Sequence, residues 1–385
     1  MRLRAEHEVF RRAVRGVIDS HIAPNVDEWE AAGGMPTRAI LTTLADRGVL
    51  GTTLPASVGG LGLDMHYSYV WAQELGRVHT TAVAMSLLVQ TEIVGPMLAE
   101  HGSQRVIDEL LRPMLLGHTI AAVAVTEPGA GSDIGAIRTR IRHDGRQCIV
   151  SGEKAFVTHG SDADLVIALC RSGEGIGVDG LTLIAIPTSL PGVHQQEYVG
   201  KFGNRACKFG TIRFDDVPVP DDFTLGRTGL GYSLQTRHFV RERCFWAVVS
   251  CCWAQRVMAD TLKRVTQRQI LGRKLVERES IAFRLAELAA ELEVVTHYAD
   301  YAFEQLAQGK ECLRSSAIAK LQATRAARRI SEHAMQLHGA EAYLEDLQVA
   351  RDLRDMRALS LAGGADEALL HLLSGFLLSS RDEHD

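Results

Sequence analysis

Apolar residues recur at helical spacing at both ends of this chain but not in its middle, and that order limits the folds open to it. Between residues 6 and about 116, Val9, Ala13, Val17 and Ile18 mark one amphipathic face, and Ile40, Leu44 and Leu50 belong to another. Pro24, Pro55 and the Gly59-Gly60 pair punctuate these helices. The texture changes near Ile120. Segments 119–125, 148–150, 165–169, 181–186 and 211–214 are short and apolar or alternating, and turns such as His143-Asp144-Gly145 separate some of them. Helical periodicity returns near Gly231 and continues to Leu378, with long runs over 256–268, 281–305 and 317–337. Strands flanked in this way have to pair in one small sheet or barrel, with helices packed in layers of their own. The expected class is therefore α+β and mostly helical. Residues 1–119 form a helical domain, 120–228 a β domain and 229–385 a helical bundle.

The composition suits a large buried core: 385 residues, 46% hydrophobic and 23% charged. A net charge of -5 argues against a general nucleic-acid binder. The 7 cysteines are odd in number and contain no Cys-x-x-Cys, so reduced thiols in a cytoplasmic protein are expected, without disulfides or structural zinc. The first ten residues are charged throughout, unlike a signal peptide, and no run of about 18 apolar residues is expected to span a membrane.

Chemistry concentrates in a few polar, glycine-rich stretches. Residues 125–133 read Val-Thr-Glu-Pro-Gly-Ala-Gly-Ser-Asp. Small residues there let backbone approach a flat or phosphorylated ligand closely, and the hydroxyls of Thr126 and Ser132 can reach it. Gly152-Glu153-Lys154-Ala155-Phe156-Val157-Thr158 follows, then Gly203-Asn204-Arg205 with Phe214-Asp215-Asp216-Val217-Pro218-Val219-Pro220, to which a structural role is given. Arg268-Gln269-Ile270-Leu271-Gly272 and Gln336-Leu337-His338-Gly339, continuing to Arg354-Asp355, complete the series. The one Gly-x-Gly-x-x-Gly, at 175–180, lies between two apolar runs of the β segment and opens no helical run, and no Gly-x-Ser-x-Gly or His-Glu-x-x-His occurs, so a Rossmann cofactor site, a serine hydrolase and a catalytic metal are not indicated.

In this order, and over nearly the whole length, the motifs resemble those of the acyl-CoA dehydrogenase family. The resemblance implies N-terminal helices, a middle β domain, a C-terminal four-helix bundle, noncovalent FAD and a homotetramer. It also implies α,β-dehydrogenation of an acyl thioester, in which a glutamate takes the α-proton and hydride passes from the β-carbon to flavin N5. Val125, Thr126, Gly131 and Ser132 would face the flavin, with Ser132 also touching substrate. Phe156 would cover one face of the isoalloxazine and Thr158 would bond its edge. Arg268, with Leu271 beside it, would reach the pyrophosphate of FAD on a neighbouring subunit, and Gln336 and Gly339 would serve the adenosine half. Several positions depart from the family pattern: Phe156 stands where tryptophan is frequent, Leu271 replaces phenylalanine, Glu279 a glutamine, and Ala340 and Ala342 glycines.

The largest departure concerns the base. Many members supply it in a Glu-Gly-Thr element shortly after Arg-Asp; here that stretch is Ala362-Gly363-Gly364-Ala365, with Gly363 at the glutamate position. The isovaleryl and long-chain branches instead use a glutamate directly before an arginine, which here reads Glu242-Arg243. By charge pattern alone Arg241-Glu242-Arg243 is an exposed ion-paired run. With no carboxylate at Gly363, Glu242 becomes the expected base, and Trp246, Val249 and Trp253 share its helical face. Asp366 and Glu367 are the fallback acids. Gly363 keeps a backbone N–H that the family aims at the thioester oxygen. Arg243 and Trp246 join Ser132 and Gly363 as substrate contacts, and the bulk of Phe245 and Trp246 suggests a short or branched acyl group. The expected partners are CoA or acyl-carrier-protein thioesters and an electron-transfer flavoprotein or similar acceptor, with no nucleic acid and no membrane. An oxygen-using oxidase or hydroxylase on the same fold is the alternative.

Overall fold

The computed structural model describes residues 1–173, 175 and 177–379. Residues 380–385, the end of the third expected domain, lie outside the described residues. Eight helices come first: α1 (Ala5–Val17), α2 (Val26–Ala32), α3 (Thr37–Asp46), α4 (Met65–Leu75), α5 (Thr81–Leu88), α6 (Gly95–His101), α7 (Gln104–Val106) and α8 (Arg112–Leu115). Asp64 and Thr80 begin α4 and α5 by accepting hydrogen bonds from the backbone N–H groups of His66 and Ala82. The face expected on the first helix is displaced. Val14, Val17 and Ile18 are buried with His7, whereas Val9 and Ala13 face solvent. A second expectation needs correction as well. Thr81–His101, with a mean hydropathy of 1.5 over its most apolar window, is long and apolar enough to cross a membrane. Protein surrounds 89% of that window, as it would the core helix of a large domain.

The strands are β1 (Ala121–Ala124), β2 (Arg140–Asp144), β3 (Gln147–Thr158), β4 (Leu165–Arg171), β5 (Leu181–Pro187), β6 (Val193–Glu197), β7 (Phe209–Pro220) and β8 (Thr224–Leu225). They make one sheet in the order β6-β7-β3-β2-β4-β5-β8, with β1 parallel to β4. In β4 and β5 every residue except the last is buried, which is why both read as unbroken apolar runs. β2 and β6 were not anticipated: they are polar and mostly exposed, so neither shows the alternation that marks a half-buried strand. β3 and β7 pair over their length with register shifts between Val150 and Gly152 and between Lys154 and Val157. Such bulges re-aim the side chains that follow.

The C-terminal part opens with α9 (Gly231–Gln267), a 37-residue helix. A two-stranded hairpin, β9 (Gln269–Ile270) and β10 (Arg273–Lys274), leads to α10 (Glu279–Ala307), α11 (Leu313–His338), α12 (Gln348–Leu359) and α13 (Asp366–Ser379). α9, α10, α11 and α12 pack on one another, and α13 adds to α11. Residues 242–254 of α9 are buried on every side.

One polar junction joins the three parts. Asp355 of α12 accepts hydrogen bonds from Thr80 Oγ1 (2.9 Å), the Thr81 backbone N–H (3.1 Å) and the Asn204 backbone N–H (2.7 Å). Glu30 of α2 accepts from the Ala206 N–H at 3.0 Å and sits 2.8 Å from the same Thr80 hydroxyl. Thr80 has one proton for two carboxylates, so it can satisfy only one at a time. Burial, and then repulsion from Glu30, pushes Asp355 up to about 7. The structural role expected for Asn204 and Arg205 is visible here, since this turn supplies the β domain's N–H groups. Asp355→Ala strands the two buried N–H groups of Thr81 and Asn204, while the Thr80 hydroxyl keeps Glu30. It is expected to destabilise the fold by about 3 kcal/mol, read as an earlier first transition in urea unfolding.

Candidate active site

The loop after β1 is built on a buried ion pair. Glu127 and Ala130 exchange backbone hydrogen bonds (2.9 and 3.1 Å), closing a tight turn around Pro128 and Gly129. The Glu127 carboxylate accepts from the backbone N–H groups of Arg138 (2.7 Å) and Thr139 (2.9 Å) and from Lys154 Nζ at 2.8 Å. Burial works to raise the Glu127 pKa, but the Lys154 charge and these donors overcome it and hold the carboxyl below its ordinary value. Lys154 also donates to the Val125 carbonyl (3.0 Å), and the Ala155 N–H to the Thr126 carbonyl (2.8 Å). Val125 and Thr126 are thereby fixed against β3, while Gly131 and Ser132 stand exposed at the rim.

The second bulge of β3 lifts Phe156 out of the sheet. Its backbone is left-handed (φ 55°), and its ring is 64% exposed and stacked on Tyr198 at 5.2 Å. A bulky residue in that region is strained, and such strain gathers at ligand sites. Thr158, two residues on, is half-buried. The structure therefore brings Val125, Thr126, Phe156 and Thr158 together on one edge of the β domain.

Glu242 lies in the fully buried stretch of α9, with 6% of its surface exposed, not on an exposed ion-paired face. Opposite it, Gly363 and Gly364 follow one another with φ values of 65° and 94°, a path closed to most side-chain-bearing residues. A Cβ placed on Gly363 would lie 3.2 Å from Glu242 Oε1 and 3.6 Å from Trp246 Cδ1. The glutamate thus occupies the space that a side chain at 363 would enter. Arg243 Nε donates to the Gly363 carbonyl (3.4 Å) and Lys320 Nζ to the Gly364 carbonyl (2.8 Å), pinning the loop from both sides. The Gly363 N–H has no partner among the described residues. Burial pushes Glu242 up to about 7 against the opposing charges of Arg243 and Lys320. Burial likewise lowers Lys320 to about 8. Glu242 Oε2, Trp246 Nε1 and Arg243 Nη1 are sealed from solvent without a hydrogen-bond partner. Of the fallback acids, Asp366 is bound by Arg325 Nε at 3.0 Å and Glu367 is exposed.

The remaining expected residues gather elsewhere. Arg268 Nη1 donates to the His338 carbonyl (2.7 Å), and its guanidinium lies 2.8 Å from where a Cβ on Gly339 would be. No carboxylate pairs with Arg268 among the described residues. Gln336 is exposed one turn earlier. Leu271, at the tip of the β9–β10 hairpin, is 89% exposed with φ 52°. Arg268 is separated from Glu242 by roughly 39 Å of α9 at 1.5 Å per residue. One protomer therefore cannot place both against the same small molecule.

Lys320, Lys154 and Glu127 were missed in the sequence reading. Lys320 had a signal: it interrupts a stripe of small residues, Ser316, Ala317, Ala323 and Thr324, that marks the buried face of α11. Groups able to hold a metal occur at His7, Asp64 and His66, at Glu100, His101 and His238, and at His143, Cys148 and Asp221, apart from the Glu242 carboxylate. A groove of about 360 Å³ between α9 and α10, lined by Met258, Leu262 and Leu292, contains none of the expected residues.

Comparison with known proteins agrees with this arrangement. The chain matches the family descriptions "Acyl-CoA dehydrogenase, N-terminal domain" over residues 4–118, "middle domain" over 122–217 and "C-terminal domain" over 229–378. It is 28% identical to the mitochondrial long-chain specific acyl-CoA dehydrogenase of Sus scrofa, covering 96% of this chain and 86% of that protein. It is 28% identical to the caffeyl-CoA reductase-Etf complex subunit CarC of Acetobacterium woodii, covering 97% and 98%. The crystal structure of acyl-CoA dehydrogenase from Geobacillus kaustophilus superposes with a TM-score of 0.93 at 30% identity, covering 97% of this chain and 98% of that one. With three domains matched in order around a buried glutamate, the chain belongs to the acyl-CoA dehydrogenase family of FAD-binding oxidoreductases.

Proposed function

We propose that this protein dehydrogenates an acyl thioester between its α and β carbons, with Glu242 as the base that takes the α-proton. The observation that carries the reading is the packing of Glu242 Oε1 3.2 Å from the Cβ site of Gly363. A base on the neighbouring helix and a side chain at 363 would compete for one space, and this chain has only the first. Glu242 Oε2 has no partner and keeps a lone pair for the incoming proton. A carboxyl near neutral basicity is suited to that transfer at neutral pH. The free Gly363 N–H is a donor for the thioester carbonyl oxygen, where negative charge develops as the α-proton leaves. Arg243 and Lys320 hold the loop that carries this donor and add positive charge around it.

The residues fit FAD. The exposed Phe156 ring, the Val125–Thr126 backbone locked to β3 and the open space at Gly131 form an edge that a flat ring can approach. FAD, when bound, supplies the hydride acceptor for the β-carbon. Thr126, Ser132 and Thr158 would hold its ring and Ser132 the thioester as well. Arg268, with no acidic partner, suits a pyrophosphate. Its distance from Glu242 supports a homotetramer in which Arg268, Leu271, Gln336 and Gly339 serve a neighbouring subunit's cofactor. The exposed leucine at the hairpin tip supports the same arrangement. Fully buried Phe245 and Trp246 support a short or branched acyl group on CoA. An electron-transfer flavoprotein as acceptor is supported by the complex named for the Acetobacterium woodii relative.

Glu242→Gln is expected to retain FAD and to slow flavin bleaching by substrate about 10³-fold, measured by stopped-flow absorbance. Reduction at the wild-type rate would reject Glu242 as base. Because the ionised carboxylate is the active form, the rate of reduction should rise about tenfold per pH unit below about 7 and level off above it. Gly363→Ala adds a Cβ at a left-handed position and against the carboxylate. It should lower stability by roughly 1–2 kcal/mol in thermal melts and slow reduction. A butyryl or branched thioester should turn over faster than a long straight chain in steady-state assays.

A further inference from the structure

Trp246 stands one helical turn beyond Glu242 on α9, where side chains four residues apart are neighbours. Both carry a buried polar atom without a partner, Nε1 on the indole and Oε2 on the carboxylate. The two are complementary: an indole N–H only donates, and an ionised carboxylate only accepts. They also crowd the same point, since Glu242 Oε1 and Trp246 Cδ1 lie 3.2 and 3.6 Å from the Cβ site of Gly363. Cδ1 is bonded to Nε1 within the ring, which sets the indole N–H beside the carboxylate, where its hydrogen-bonding pull works against the burial that raises the acid. Of the cations nearby, Lys320 Nζ is engaged on the Gly364 carbonyl and Arg243 Nε on that of Gly363, while Arg243 Nη1 is a further buried donor without a partner.

We infer that Trp246 is a positioning residue for the base: its indole N–H donates to the ionised Glu242 carboxylate and lets go when the acid is protonated. A hydrogen bond offered only to the charged form favours that form, and it aims the remaining lone pair at the substrate. It offsets part of the burial that raises the acid. The other groups facing this carboxylate are Arg243 on its own helix and Lys320 from α11. Asp366, at the start of α13, acts on Lys320 and is itself bound by Arg325, while Tyr232 acts on Arg243. These act through charge and remain in a variant that changes Trp246 alone.

The inference rests on Glu242 being the base, and its test separates the two. In the FAD-loaded Trp246→Phe protein, which keeps an aromatic ring but lacks the N–H, the pH profile of flavin reduction should move up by about one unit. At pH 6 the rate, relative to each protein's own high-pH plateau, should fall about tenfold. An unmoved midpoint would overturn the assignment, because a ring that only fills space shifts no titration. A second readout needs no altered Trp246. The chain has 4 tryptophans, so ¹⁵N-labelled wild-type holoenzyme gives four indole N–H resonances. One should titrate with the midpoint of flavin reduction and stop titrating in Glu242→Gln; four flat signals would overturn the assignment. If Glu242→Gln reduces its flavin normally, the base reading fails, while the indole titration still decides whether the two side chains interact.

Discussion

The carboxylates of Asp355 and Glu30 accept hydrogen bonds that tie all three domains together at one buried point. Helix α12, helix α2, the turn before α5 and the Asn204 turn of the β domain all end on these two carboxylates and the hydroxyl of Thr80. Backbone N–H groups supply most of the donors, so the geometry is held by main chain and not by long flexible side chains. A buried carboxylate pair with too few protons between them is costly unless the surroundings keep every donor in place. The junction thus joins the β domain, which carries Phe156, to the helices that surround the buried stretch of α9.

Within that frame the site divides its work between a rigid helix and a glycine turn. Glu242 comes from a segment of α9 buried on every side, whereas the donor proposed for the thioester comes from Gly363, whose backbone is left-handed and whose N–H has no partner among the described residues. Arg243 and Lys320 bind the turn through the carbonyls of Gly363 and Gly364 and so tie it to α9 and α11. The same two cations temper the cost of a buried acid. Neither donates a direct hydrogen bond to Glu242 among the described residues, and the carboxyl is left near neutral basicity.

Much of this was legible in the residues. Long apolar runs at helical spacing marked α9, α10 and α11, and the unbroken apolar segments marked β4 and β5, because burial on both faces leaves no polar alternation. β2 and β6 stayed hidden because exposed polar strands look like loops until their partners are known. The faces of the first helix shifted because Val9 points to solvent and His7 to the interior, which hydrophobicity alone ranks the other way. At the site, the absence of a side chain at Gly363 and the Glu242-Arg243 pair could be read in one dimension, since each is a property of a single position. Lys320 showed only as a charge interrupting a stripe of small residues, and the Glu127–Lys154 pair did not show, because its meaning lies in a contact between a loop and a strand. Thr81–His101 shows the reverse limit: composition alone cannot distinguish a lipid-facing helix from one wrapped in protein.

Placing the acid on α9 instead of on the loop after α12 has a mechanical consequence. In the proposed mechanism the proton acceptor and the carbonyl-polarising donor ride on separate stretches of backbone. Thermal breathing of the short Gly363–Gly364 turn can loosen the grip on the thioester without swinging the acid away from its carbon. An enzyme carrying both on one turn would lose them in a single fluctuation; a base on α9 keeps its own backbone support.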